Sequence, residues 1–148
     1  MNRRRFAIAA IAAAGLAFAG PAIGQAKTHK VAIHVSDADP ARLEIVLNNV
    51  RNIKQFYQAK GEKVTIEVVT HGHGLVLLRA DTSPVKGRVE AMLEGDSDLS
   101  FSACENTRAG MSKREGKEVP LIKAAKSVPS GVTRLIEMQE QGWSYLRP

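Results

Sequence analysis

Apolar positions along this chain alternate between two spacings, one suited to strands and one to helices. His29–Val35 begins as polar–apolar alternation and ends mostly apolar, which predicts a first strand buried on much of both faces. Asp39 or Asp37 then serves as a helix N-cap, with Pro40 near the first helical position. Leu43, Val46, Leu47, Val50, Ile53 and Tyr57 recur at three- and four-residue steps, predicting an amphipathic helix of about five turns that Gly61 closes. Val64–Thr70 is strongly β-branched and reads as a second strand, ending in His71-Gly72-His73-Gly74. Gly74–Ala80 fits a strand or a short helix equally well. Ser83-Pro84 opens a helix with Val85, Val89, Met92 and Leu93 on one face, stopped at Gly95. Asp98–Cys104 is a third strand, and residues 105–115 form a weak helix interrupted by Gly110 and Gly116. Leu121–Val128 predicts a fourth strand. Pro129-Ser130-Gly131 leads into a last helix whose apolar face carries Val132, Leu135, Ile136 and Met138, and Trp143–Arg147 makes a short terminal strand.

Strands and helices therefore alternate throughout, which predicts an α/β domain with a mainly parallel sheet and helices on both faces. Open parallel sheets bind ligands beyond the carboxyl ends of their strands. The residues expected on that edge are Ser36, then His71, Gly72, His73 and Gly74, then Cys104, Asn106 and Thr107, and finally Ser130 and Gly131.

The N-terminus changes the picture of charge and compartment. Arg3-Arg4-Arg5-Phe6 precedes an apolar, alanine-rich run to Ala19, and Gly24-Gln25-Ala26 supplies small residues for cleavage after Ala26. Residues 1–26 read as an export signal, twin-arginine by the Arg-Arg-x-Phe pattern or an ordinary secretory one if the arginines only form its charged end, and the run is too short and too weakly apolar for a stable membrane span. Its removal takes three arginines and no acids, so the formal charge falls from +6 to +3. A balance that mild, with no basic stripe, argues against a nucleic-acid binder. Residues 27–148 form one domain, and the expected location is periplasmic or secreted.

Cys104 is the single cysteine, so the chain forms no internal disulfide. A strand that delivers a thiol to a helix N-terminus favours the thiolate, because the helix dipole and its unpaired N–H groups stabilise the anion. Cys104 is accordingly the candidate nucleophile, a sulfur acceptor or a redox thiol, with Ser102, Thr107 and Arg108 as nearby helpers and His71 as base or hydrogen-bond partner. The opposing reading is an inert buried cysteine, a common fate for free thiols. His71, His73, Cys104 and His34 are zinc- or copper-type ligands, but they lack the paired-cysteine spacing of metal sites, and no metal or other cofactor is assigned. His71-Gly-His-Gly74 lacks the third glycine of a dinucleotide fingerprint, and no serine occupies a nucleophile elbow.

Taken together, His71-Gly72, Phe101-Ser-Ala-Cys104-Glu-Asn-Thr107, Val128-Pro-Ser-Gly-Val132 and the ending Leu135–Pro148 resemble the DsrE/DsrF-like (YchN-like) family over nearly all of residues 30–147. That resemblance implies a flavodoxin-like sheet of about five strands and homo-oligomers, commonly trimers or hexamers. It also implies a sulfur-relay role, in which Cys104 accepts sulfane sulfur from a donor as a persulfide and passes it to an acceptor, as a carrier or sulfurtransferase-like protein. The export signal departs from the intracellular relay members. The alternative is a periplasmic oligomeric module that binds a small ligand or a metal, with Cys104 structural.

Overall fold

The computed structural model describes residues 27–148, and the export signal read in residues 1–26 lies outside the described residues. Five strands, β1 (Thr28–Val35), β2 (Lys63–Thr70), β3 (Leu99–Cys104), β4 (Lys126–Val128) and β5 (Ser144–Leu146), form one sheet. Their order is β4-β3-β2-β1-β5 and every pairing is parallel. The helices are α1 (Pro40–Ala59), α2 (Lys86–Leu93), α3 (Glu105–Glu115) and α4 (Gly131–Glu140). This is the parallel α/β architecture that the alternation predicts and the five-stranded flavodoxin-like sheet that the resemblance implies.

The order of strands decides where the helices go. From β1 to β4 the chain steps in one direction across the sheet. Right-handed crossovers then put all three connections on the same face. Leu43, Leu47, Val50 and Val89 from those helices pack there on Ile33, Ile66, Val68 and Phe101. The last connection runs back from β4 to the far edge at β5, which places α4 on the other face. Its Leu135 and Met138 cover Ala32 and Val69. One face is thus deeply buried and the second carries a single helix.

Local signals act as expected at several ends. Asp39 caps α1, its carboxylate accepting from the N–H groups of Ala41 and Arg42 at 2.7 and 3.2 Å. Gly61 and Gly116 take positive φ just after α1 and α3.

Of the two readings left open for Gly74–Ala80 the short helix holds, since Gly72–Leu78 forms a 3₁₀ helix that buries Leu75, Leu77 and Leu78. Two expectations are corrected. Leu121–Val128 is a strand only over Lys126–Val128. Leu121 instead bridges antiparallel to Arg79, and the Ile122 N–H donates to the Leu78 carbonyl, so the 3₁₀ segment captures the first half of the run. Gly110 does not interrupt α3, whose ladder passes through it. On the apolar face of α4, Leu135 and Met138 are buried, while Val132 and Ile136 stand 53% and 51% exposed on its flank.

Candidate functional site

Adjacent strands β3 and β4 lead into helices on opposite faces of the sheet. The helix ends diverge there and leave a crevice at the carboxyl edge, the place where open α/β sheets gather their chemistry. Cys104 is the last residue of β3 and the N-cap of α3. Across the crevice, Ser130 caps α4, its hydroxyl oxygen accepting from the Thr133 N–H at 3.4 Å. The β3–β4 register sets Val128 beside Cys104, so Pro129, Ser130 and Gly131 turn directly over the thiol.

Gly131 shows how close that approach is. A Cβ built on it would lie 3.1 Å from the Cβ of His71, 3.3 Å from the Cβ of Cys104 and 3.3 Å from the Thr70 carbonyl oxygen. A side chain there would be tighter than ordinary contact, so glycine is what lets the first turn of α4 sit this close to the cysteine. Cys104 and His71 thus flank one point, although they belong to different strands.

The sulfur is 4% exposed as a residue, and burial is the largest influence on its thiol, pushing the pKa up. The Thr107 hydroxyl opposes it, followed by the N–H groups of Gly131, Thr107 and Asn106. Together they hold the thiol below its ordinary value of 9.0. The sulfur forms no tight cap of the kind that oxygen makes on α1 and α4, so the N–H groups act on it electrostatically. Thr107 has a fixed orientation, because its hydroxyl oxygen accepts from the Gly72 N–H at 3.0 Å and its proton is left for the sulfur. Gly72 makes that contact with a φ of 54°, a conformation that favours glycine.

Behind His71 the site continues along the same sheet face. The rings of His71 and His34 stack at 4.5 Å, and His34 Nδ1 is hydrogen-bonded to the Tyr145 hydroxyl at 2.7 Å. Burial, then His71 and Arg147, lower the His34 pKa to about 4, and burial followed by Arg147 lowers that of His71. Both rings are therefore neutral near neutral pH. Arg147 Nη2 donates to Ser36 Oγ at 3.0 Å, which accounts for the place of Ser36 on this edge.

Apart from Ser36, held by Arg147, and Ser130, the cap of α4, the expected edge residues divide into three groups. Cys104, His71, Asn106, Thr107 and Gly131 meet at the thiol, and Gly72 braces it. His73, with Asn106 and Thr107, lines a separate cleft of about 350 Å³ beside α3. Gly74 is a packing residue and not a ligand contact: a Cβ there would lie 2.3 Å from the Val35 carbonyl oxygen, and its N–H is used by the His71 carbonyl. Two expected helpers point elsewhere. The Ser102 hydroxyl donates to buried Glu67 at 2.8 Å, and Arg108 is held by the Val119 carbonyl, Glu105 and Glu118. Among the described residues, no three His, Cys, Asp or Glu side chains group as ligands of one ion.

Sequence reasoning missed Tyr145, Arg147 and the Glu67–Arg134 pair. Arg134 on α4 grips Glu67 of β2 with two hydrogen bonds of 3.0 and 2.6 Å. That pair floors a cleft of about 390 Å³ between β4 and α4. An acid at a buried strand position, Glu67 in Val64–Thr70, was the available signal.

No family model matches the chain, and a comparison with curated proteins finds no match. Among solved structures, a protein of unknown function, MTH1491 from Methanobacterium thermoautotrophicum, is similar, with a TM-score of 0.67 and 32% sequence identity. The match covers 81% of this chain and 99% of that one. At that identity and coverage, the chain belongs to the same family as this archaeal protein.

Proposed function

We propose that the protein is an exported sulfur carrier of the DsrE/DsrF-like type, with Cys104 as the atom that is loaded. One observation carries this reading: the buried thiol of Cys104 ends β3 at the N-terminus of α3, with Gly131 at the start of α4 packed against it, and the hydroxyl and N–H donors of those two helix ends hold it below its ordinary pKa. The thiolate attacks a sulfane sulfur of the donor. An S–S bond forms at Cys104, the donor's S–S bond breaks, and the donor's remaining sulfur leaves as a thiolate or hydrosulfide. Sulfur moves with no net oxidation. Attack by an acceptor thiolate on the outer sulfur reverses the exchange and frees Cys104. His71, neutral and packed with Cys104 against Gly131, is the base we assign to the initial proton.

Export through residues 1–26 and assembly into a homo-oligomer belong to the same proposal. Exposed Val132, Ile136 and Tyr145 lie on the face that carries only α4, and they support assembly of copies there. A second reading, a small-ligand-binding module with a structural cysteine, is favoured by the cleft over Glu67 and Arg134.

Intact mass after incubation with polysulfide separates the two. A reducible gain in whole sulfur atoms, absent in Cys104→Ser, is the expected result. Failure to gain sulfur in folded protein whose thiol also resists alkylation removes the carrier reading and leaves the binding module.

A further inference from the structure

Parallel sheets are ordinarily covered with apolar contacts on both faces. Here the second face carries only α4, which packs through Leu135 and Met138 on Ala32 of β1 and Val69 of β2. Toward β4 that face is left as the cleft of about 390 Å³. Its sheet floor is polar, with Ser102 of β3 in register beside Lys126 of β4. One wall is a helical stripe of α4 carrying Thr133, Arg134 and Glu137, and Val128 and Pro129 close the upper end.

The charges in this cleft differ in how far they are used. Glu67 is 6% exposed and accepts three hydrogen bonds, one from the Ser102 hydroxyl and two from Arg134, so its charge is satisfied within the protein. Glu105 stands behind Ser127 and is engaged by the Ser127 hydroxyl and by Arg108. Lys126 acts on Glu67 through space, but among the described residues it forms no ion pair. Glu137 is 53% exposed and approaches Arg134 Nη1 only at 3.9 Å, beyond hydrogen-bond length. The lining is therefore neutral overall, with one cation and one acid left over, and those two do not pair with each other.

Topology sets them across from one another. β4 rises to the turn at Pro129 and Ser130, and α4 runs back down beside it. Lys126 lies two strand residues below Val128, about 6.6 Å. Arg134 lies four helical residues below Ser130, about 6 Å, and Glu137 is a turn deeper. The free ammonium on the floor and the free carboxylate on the wall thus stand at the lower end of the cleft, with the apolar pair Val128 and Pro129 above them.

We propose that this cleft binds a small zwitterion of the amino-acid type, with its carboxylate at Lys126, its ammonium at Glu137 and its apolar part against Val128 and Pro129. The proposal rests on the reading of this cleft as a small-ligand site and names the ligand class; it holds whether or not Cys104 carries sulfur. A simple anion would meet Glu137 and a simple cation would meet Lys126. Only a molecule with both charges satisfies both ends. The volume is at the low end of the roughly 300–1,000 Å³ of small-molecule sites, which suits a ligand of this size.

Three probes built on one side chain test this. Leucine carries both charges, N-acetylleucine keeps only the carboxylate, and leucinamide keeps only the ammonium. Each is titrated into isotope-labelled protein while the backbone amide resonances of β4 and α4 are followed. Leucine is expected to bind about tenfold more tightly than either derivative, the scale of one charge-assisted hydrogen bond. Lys126→Gln is expected to weaken leucine and N-acetylleucine about tenfold and leave leucinamide unchanged. Glu137→Gln is expected to weaken leucine and leucinamide and leave N-acetylleucine no weaker. Lys113→Gln, an exposed site on α3, removes the same charge elsewhere and is expected to change nothing. A derivative that matches or exceeds leucine at the same resonances overturns the zwitterion and keeps the cleft as a ligand site. Equal weakening by Lys126→Gln and Lys113→Gln overturns the assignment of the carboxylate to Lys126. No response to any of the three probes removes the proposal together with the small-ligand reading of the cleft.

Discussion

A single methyl group at Gly131 probes how the thiolate is stabilised. Gly131 has negative φ at the start of α4, so alanine is compatible with the backbone and gains about 0.4–1 kcal/mol from the unfolded chain. The added Cβ meets two other Cβ atoms and a carbonyl oxygen at 3.1–3.3 Å, none of which is a flexible side-chain end. Relief requires the first turn of α4 to lift from Cys104, at an overpacking cost of about 1–3 kcal/mol. The net stability change is therefore small, a loss of about 1–2 kcal/mol, and the protein stays folded. The effect on the thiol is larger in kind, because lifting the turn withdraws the Gly131 N–H from the sulfur. Taking about 1.4 kcal/mol for a donor to a charged group, Gly131→Ala leaves about tenfold less thiolate at a given pH below the thiol's midpoint. The ultraviolet absorbance of the thiolate, followed against pH, should move to higher pH. Gly110→Ala is the control, since its Cβ meets only the end of the Arg114 side chain at 3.5 Å and should leave the titration in place. A Gly131→Ala protein that unfolds cooperatively yet titrates like its parent would refute the idea that α4 acts on the sulfur.

Two further expectations follow from the same geometry. Thr107→Val removes the hydroxyl from the sulfur and the acceptor from Gly72, so the thiolate titration should move upward and stability fall by about 1–2 kcal/mol, while Thr107→Ser should restore both. Arg134→Gln leaves Glu67 buried without its cation and should cost about 3 kcal/mol at neutral pH, measured by urea unfolding. Burial raises the Glu67 pKa, but the Arg134 and Ser102 hydrogen bonds outweigh it and hold the carboxyl below its ordinary 4.5. The contribution of the pair is then complete above about pH 4.5 and lost as pH falls through the lower folded value. The difference between parent and variant should shrink in that acid range, and a difference independent of pH would refute the role given to Glu67.

What the sequence made legible was local. The spacing in Leu43–Tyr57, the cap at Asp39 and the strand–helix junction at Cys104 each depend on neighbours a few residues away, and each stands in the fold. What it hid depends on pairing at long range. Gly131 reaches Cys104 only because β4 registers beside β3, and Tyr145 reaches His34 only because β5 crosses back to β1. Ser102 was read as a helper from its closeness in sequence. It shares a sheet face with Cys104 but lies one pleat repeat lower, where Glu67 takes its proton. Leu121 and Ile122 are strand-like residues, but the end of the 3₁₀ segment Gly72–Leu78 and Arg79 beyond it offer them partners that no periodicity reveals.

Stabilising an anion with hydroxyl and backbone donors, and keeping the cation at the other end of the cluster, has a chemical consequence. The donors around Cys104 are fixed on the inner sulfur. In the proposed carrier, forming a persulfide would move the negative charge to the outer sulfur, about 2.05 Å farther along the new bond. The helix ends would then hold the loaded state less tightly than the empty thiolate, and the loaded sulfur would not be trapped by the groups that activate the attack. A lysine or arginine paired to Cys104 would follow the charge with its flexible side chain and stabilise both states, raising the cost of handing the sulfur on. A rigid crevice made by two diverging helices favours the attacking thiolate and also the departing one, which is the balance that a carrier needs in both directions of exchange.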